Sequence, residues 1–283
     1  MAAKSGYAAP APAWSIDAAL ADDRLHPVVR RALGRSHRFL TPRSARVVLS
    51  HRHDVPVMFA INNPKDIIQW RQRNGFFYED KLLGIIAQHF PKGGTFCDIG
   101  ANVGNHTLYM LLIGGAARAI PMEPNPAAIS LFCTNMMLNQ IADRVDFTTL
   151  GYGVGAQSRD DMAVDSPDGN LGLTQLRKAG ENEDTISIRT GDHLLGDTHI
   201  DFLKMDVEGM EIGALEGFQA TIERCRPAMF IEVDNENADA FQDLMKRHKY
   251  TVHIAFRKKR ANQNFLLLPS ERGVANDPAS GPN

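Results

Sequence analysis

From residue 95 the chain alternates short apolar runs with longer stretches whose apolar residues recur every three or four positions. TFCDI (95–99) reads as a buried strand, 104–114 as a helix and ARAIPM (117–122) as the next strand. Pro126 opens a helix to about 139, with Ile129, Phe132, Cys133 and Met136 on one face. RVDFTTL (144–150) reads as a third strand, IDFLKMDV (200–207) as a fourth, 209–224 as a helix and AMFIEV (228–233) as a fifth strand. Residues 236–248 follow as a helix, with Ala238, Phe241, Leu244, Met245 and His248 at helical spacing. YTVHIAF (250–256) and NFLLLP (264–269), joined by polar RKKRANQ, predict an antiparallel hairpin.

Before residue 95 the pattern is looser. Residues 1–20 are rich in Ala and Pro and are expected to be mobile; 21–50 carry Arg and His between short apolar stretches and read as an irregular or helical cap. VPVMFAI (55–61) predicts a strand, and a short helix is expected over 64–73, beginning at Pro64. YEDKLLGIIAQHF (78–90) predicts a helix ended by Pro91 and Gly93-Gly94. Residues 153–191 are polar and Gly-rich and predict either a hairpin, with TISIRT (185–190) as one arm, or a loop over the site.

Alternating strands and helices give a parallel sheet with right-handed crossovers, and the hairpin adds an antiparallel strand. The expectation is an α/β, Rossmann-like, mostly parallel seven-stranded sheet with a C-terminal antiparallel hairpin strand. The organisation expected is an extension over 1–50, partly mobile; a cap of strand and helices over 51–94; a main domain over 95–270 with a variable insertion at about 153–191; and a mobile tail over 271–283.

Composition narrows the classes. An apolar fraction of 43% with 23% charged residues is that of an ordinary soluble globular chain, and a net charge of −2 gives no global reason to expect nucleic acid as partner. No apolar run approaches a membrane span and the N-terminus shows no secretory signal, so a cytoplasmic protein is expected. Cys97, Cys133 and Cys225 form no CxxC pair, so neither a zinc site nor a disulfide framework is expected.

The candidate chemistry starts at FCDIGANVGNHT (96–107). A strand ending in Asp98 runs into Gly100, Asn102 and Gly104, a turn that lets backbone approach a ligand at the carboxyl edge of the sheet. A dinucleotide brings a pyrophosphate, which Asp98 would repel, and its fingerprint is GxGxxG rather than DxGxNxG. S-adenosylmethionine brings a sulfonium, an ammonium and one carboxylate, so an acid at the strand end attracts it. Glu123, in PMEPNP at the end of the second strand, is placed to accept both ribose hydroxyls. Asn105 and Asn125 are candidates for the ribose or methionine ends, or for stabilising turns. Pro121 suits only a strand end or bulge.

FCDIGANVGNHTLY, PMEPNP and IDFLKMDVEGMEIGALEGF, in this order and spacing, resemble the FkbM-type methyltransferases. The resemblance covers about residues 75–235. It implies a class I methyltransferase fold, S-adenosylmethionine as donor and O-methylation of sugars, polyketides or other secondary metabolites. By motif position it places the donor on Asp98, Gly100, Asn102, Gly104 and Glu123. FFYE (76–79) is similar to a family element that reaches the donor, which adds Glu79.

On the acceptor side, Asp206 and Glu208 emerge from the fourth strand at the same edge as Asp98 and are the catalytic candidates, Asp206 as base or hydroxyl orienter. Lys204 would snorkel or pair with an acid. Glu211 is expected to sit at a helix start, Asp234 or Asn235 to cap the helix from 236, and His106 to pack or face solvent. Glu232, Asp234 and Asp206 could surround magnesium, which is not favoured, and no metal ligand is assigned. RKKR (257–260) reads as a solvated basic turn, and Asp168, Asn170 and Gly172 as shaping an acceptor pocket. The acceptor expected is a small molecule or glycan. The alternatives are an N-methyltransferase, an NAD-binding Rossmann oxidoreductase, or a module with the fold but no catalysis. Oligomeric state is not legible.

Overall fold

A computed structural model describes residues 15–39, 46–166, 171, 174–257 and 262–273 of the 283. In chain order the elements are α1 (Ile16–Ala21), α2 (Pro27–Phe39), β1 (Arg46–Ser50), β2 (Val57–Ile61), α3 (Ile67–Arg73) and α4 (Asp80–His89). Then come β3 (Thr95–Ile99), α5 (Asn105–Tyr109), β4 (Arg118–Met122), α6 (Pro126–Leu138), β5 (Tyr152–Val154), β6 (Arg159–Asp165), β7 (Gln175–Lys178) and β8 (Ile186–Arg189). The chain continues with α7 (Gly191–Leu195), β9 (Phe202–Met205), α8 (Glu211–Glu216), α9 (Gln219–Cys225), β10 (Ala228–Asp234), α10 (Ala238–Arg247), β11 (Tyr250–Arg257), β12 (Asn262–Pro269) and α11 (Ser270–Gly273).

The main sheet has six strands in the order β11-β12-β10-β9-β3-β4. β10, β9, β3 and β4 are mutually parallel; β12 returns antiparallel between β10 and β11. The alternating pleat divides the core into two layers. Phe96, Phe202 and Phe230 face the layer of α2, α4 and α6, while Cys97, Leu203 and Met229 face that of α8, α9 and α10.

The seventh strand expected over 144–150 is absent, and Pro121 gives the reason. Residues 142–144 and 147–149 are 3₁₀ turns, and the ladder beside β4 is the single parallel bridge Ala119↔Val145, with Asp146 N–H donating to the Ala119 carbonyl at 2.9 Å. Residues 119 and 121 direct their backbone groups to this edge, so the next rung needs an N–H from residue 121. Proline has none. The Pro121 carbonyl is taken instead by the Thr149 hydroxyl at 2.7 Å. β4 is therefore an edge strand, where proline is tolerated, and its register with β3 is regular from Thr95↔Arg118 to Ile99↔Met122.

Other expectations shift. The helix placed at Pro64 starts at Ile67, because the buried Asp66 carboxylate caps it through Gln69 N–H at 2.9 Å. The helix over 104–114 continues past Tyr109 as a π-turn over Met110–Gly114, and that over 209–224 breaks between Glu216 and Gln219. Asp234 makes no side-chain cap. Residues 16–21, all but the last within the stretch expected to be mobile, are helical; residues 1–14 and 274–283 lie outside the described residues. The insertion forms its own sheet, β5-β8-β6-β7, in which β8 pairs with β5 in parallel and with β6 antiparallel. The N-terminal hairpin β1-β2 is tied to the main domain by two asparagines one turn apart, one on α6 and one at its C-cap. Asn135 accepts from Ala60 N–H at 2.8 Å, and Asn139 brackets Met58 through N–H and carbonyl at 2.9 and 2.7 Å. The three cysteines are buried free thiols. Among the described residues no helix is long and apolar enough to cross a membrane.

Candidate functional site

Period two along the strands puts Phe96 and Asp98 on one face of β3 and Phe202 and Lys204 on the same face of β9; the register sets Asp98 beside Lys204. Asp98 is fully buried, with one oxygen 3.3 Å from the Lys204 ammonium and the other accepting from the Thr107 hydroxyl at 2.7 Å. Lys204 also donates to the Gly100 carbonyl at 2.9 Å. Burial disfavours its charged form, but the carboxylates of Asp98 and Asp206 outweigh that and raise its pKa. Asp98 thus supports the glycine loop from beneath and its charge is spent on Lys204.

At Gly100 (φ 73°) a Cβ would lie 1.9 Å from the Asp206 carbonyl, so only glycine lets the loop pass the end of β9. Asn102 is also left-handed (φ 49°); its N–H donates to Glu123 at 2.9 Å and its amide to the Leu171 carbonyl at 2.8 Å. Gly104 (φ 86°) serves packing, since a Cβ there would meet Phe132 and Met136 of α6 within 2.9 Å.

These elements surround a cavity of about 360 Å³ at the carboxyl ends of the parallel strands. Glu123 lines it, with the second carboxylate oxygen accepting from Asn125 N–H at 2.8 Å; burial pushes its pKa up to about 7 against these two backbone bonds. Asp206, Glu208 (φ 46°), Glu232 and Asp234 also line the cavity. Glu232 accepts from the Asn262 amide. The Asp234 pKa is raised by burial, then by Glu236 and Asp206. Glu211 is drawn away: it accepts from Gly209 N–H and from the Asn237 amide at 2.6 Å, while burial raises its pKa. Among the described residues no group of three or more His, Cys, Asp or Glu side chains is arranged to hold a metal ion.

The remaining candidates serve the walls. Asn105 clamps Tyr78, accepting from its N–H at 3.0 Å and donating to its carbonyl at 2.9 Å, which seats Tyr78 in the cavity. Glu79 (φ 58°) lies 3.9 Å from the ring of His106, and His106 lines the cavity. Asn125 caps α6 through Ala127 N–H and donates to Ser166 and Thr174 of the insertion at 3.1 and 3.3 Å. Asp168, Asn170, Gly172 and the 258–260 part of RKKR lie outside the described residues.

Several lining residues escaped the sequence reading. Leu171 joins three segments: its N–H donates to Asp66 at 2.9 Å and its carbonyl accepts from Asn102. Tyr152 and Leu176 bring the insertion's sheet into the wall. Asn262 is 8% exposed, and its amide oxygen is buried without a partner among the described residues. Its signal was available: Asn262 and Asn264 extend the buried period-two face of Leu266 with polar side chains.

The Methyltransferase FkbM domain matches residues 98–255, more than half of the chain. The chain belongs to the FkbM methyltransferase family. Among solved structures, methyltransferase FkbM from Methylobacillus flagellatus KT is 19% identical over 62% of this chain and 43% of that one, with a TM-score of 0.46. The B. subtilis M1A22 tRNA methyltransferase TrmK is 14% identical over 67% of this chain and 65% of that one, at 0.41. A precorrin-6y C5,15-methyltransferase from Geobacter metallireducens GS-15 is 11% identical over 68% and 89%, at 0.42. This FkbM-family chain spans less than half the length of the first of these proteins. No curated protein matches it.

Proposed function

We propose that this chain transfers the methyl group of S-adenosylmethionine to a hydroxyl of a sugar, glycan or secondary metabolite. One observation carries the reading: among the described residues, the buried Glu123 carboxylate faces a cavity whose lining holds five carboxylates and a single lysine. A cationic nucleoside fits that donor set, and a dinucleotide's pyrophosphate does not. Glu123 would take the ribose hydroxyls, the backbone of Gly100–Asn102 would pass along the ligand, and Asp98, Gly104, Asn105 and Asn125 would hold these groups in place from behind. Glu79 acts on the site through His106.

The donor supplies an electrophilic methyl carbon on a sulfonium, displaced in line. The acceptor oxygen forms a bond to that carbon as the carbon–sulfur bond breaks, and the hydroxyl proton passes to a carboxylate. Asp206, at the end of β9, is the base or hydroxyl orienter, with Glu208 beside it. Such alignment is worth roughly 7–11 kcal/mol in favourable cases, and a positioned base about 10²–10⁴-fold.

Calorimetry with S-adenosylhomocysteine tests the donor, and transfer of an isotopically tagged methyl group onto glycan and metabolite libraries tests the acceptor. Saturable S-adenosylhomocysteine binding that weakens in Glu123→Ala supports the reading. NADH binding in the absence of any S-adenosylhomocysteine signal overturns it.

A further inference from the structure

The lip of the cavity carries the opposite charge to its floor. α3 forms that lip: Ile67 lines the cavity and is 42% exposed, and Trp70, on the same face about 4.5 Å further along the axis, is 50% exposed. The Arg52 guanidinium lies 3.5 Å from the centre of the Phe76 ring, and that of Arg71 lies 5.6 Å from the same ring and 6.0 Å from Trp70. Two guanidinium groups on one ring repel each other. Among the described residues no carboxylate comes within 4.0 Å of Arg52, Arg71 or Arg73, whereas Arg24, Arg118, Arg159, Arg177, Arg189 and Arg226 each have one within 2.8 Å.

The arrangement is held in place before any ligand arrives. The Ser50 hydroxyl donates to the Gly75 carbonyl at 2.6 Å, Asn74 to the Trp70 carbonyl at 2.7 Å, and His53 meets Asp80 at 2.8 Å. Gly75 (φ 75°) makes the tight turn that lets Arg52 fold over Phe76. Residues 24–73 contain eleven Arg and Lys against two Asp, and the rest of the chain twenty against thirty-one Asp and Glu. The net charge of −2 conceals this asymmetry.

We propose that Arg52, Trp70, Arg71 and Phe76 bind the nucleotide part of a nucleoside-diphosphate-linked sugar, whose sugar hydroxyl is the methyl acceptor. The proposal rests on the reading of the cavity as a methyltransferase site. An exposed indole offers a face on which a base stacks. Paired, carboxylate-free guanidinium groups match phosphate oxygens in a fork that lysine does not offer. The carboxylates of Asp206, Glu208 and Asp234 repel a diphosphate from the cavity and accept from sugar hydroxyls, so charge alone orients the molecule with phosphates on the lip and sugar inside.

The test uses the full chain with Trp14→Phe, which leaves Trp70 as its one tryptophan. Uridine, guanosine and adenosine diphosphates are titrated against Trp70 fluorescence, with S-adenosylhomocysteine calorimetry on the same samples. The expected result is saturable quenching by at least one of them, relieved by inorganic pyrophosphate. In Arg52→Ala/Arg71→Ala its Kd rises at least about tenfold, with S-adenosylhomocysteine binding unchanged. Absence of quenching by all three while S-adenosylhomocysteine binds overturns the lip and leaves the donor reading standing. A response only to oligouridylate, or only to phosphatidylglycerol vesicles, also overturns it. Quenching without S-adenosylhomocysteine binding keeps the nucleotide lip and removes the donor reading.

Discussion

The two sides of the cavity are held by different physics. The floor, from Asp98 to Asn102 and from Lys204 to Glu208, hangs on the parallel strands β3 and β9, whose ladder fixes Asp98 and Lys204 in the pleat and the turns that follow at its edge. The opposite wall, Tyr78, Leu171 and the residues beside them, is held by side chains reaching remote segments: Asn105 bonds the backbone of Tyr78, Asp66 and Asn102 that of Leu171, and Asn125 donates to the hydroxyls of Ser166 and Thr174. A ladder fails cooperatively, whereas a set of amide clamps is lost one bond at a time. On the proposed reading, the floor suits a fixed cofactor geometry and the wall variation in what it admits.

The largest effect expected from breaking the floor is on chemistry. Asp206→Asn should lower kcat by about 10²–10⁴-fold with little change in S-adenosylhomocysteine affinity; equal loss in both would remove Asp206 from the reaction. Next is the buried pair. Lys204→Met strands Asp98 without its partner and should cost about 3–5 kcal/mol of unfolding free energy, read by urea denaturation. Asp98→Leu combined with Lys204→Met should recover most of that loss, since a buried ion pair is poorly favoured over apolar packing.

On the wall side, Asp66→Ala removes a helix cap and leaves the buried Leu171 N–H unsatisfied, a loss of about 1–3 kcal/mol. Because the clamp is local, proteolysis within 166–174 should accelerate more than global unfolding does, and parallel acceleration of the two would erase the contrast between floor and wall. The smallest effect is a pH dependence. With its pKa raised to about 7, Glu123 binds a proton in the folded chain that an unfolded chain releases near its ordinary value of 4.5. Stability should therefore fall as pH rises from about 4.5 through 7. Donor binding runs the other way, because the ribose hydroxyls need the ionised carboxylate. At one unit below its pKa a tenth of Glu123 is charged, so S-adenosylhomocysteine affinity at pH 6 should be about tenfold weaker than its plateau. Glu123→Gln should bind weakly and show no such profile.

Much of the floor was legible. Short apolar runs marked β3, β4, β9 and β10, and the spacing of glycines and acids between them marked the site. The partner of Asp98 was not legible, because its pairing with Lys204 depends on strand register across 106 positions. The negative character expected from Asp98 and Glu123, with Asp206 and Glu208 at the same edge, is carried in the cavity lining by Glu123, Asp206, Glu208, Glu232 and Asp234. Pro121 was noticed as an anomaly. Its consequence, the loss of the strand at 144–150, required knowing which carbonyl lacked its donor. The wall was hidden because the residues that build it are neither periodic nor apolar; they are single asparagines and aspartates whose partners lie 27 to 105 residues away.

The sequence by itself determined the strands, the glycine turn and the family, because local hydrophobic period and backbone sterics act over a few residues. Only the tertiary structure decided which charges cancel, which carboxylates face the cavity and where the basic lip lies beside it. Those outcomes depend on distances between segments far apart along the chain, and burial sets how strongly such charges act on one another.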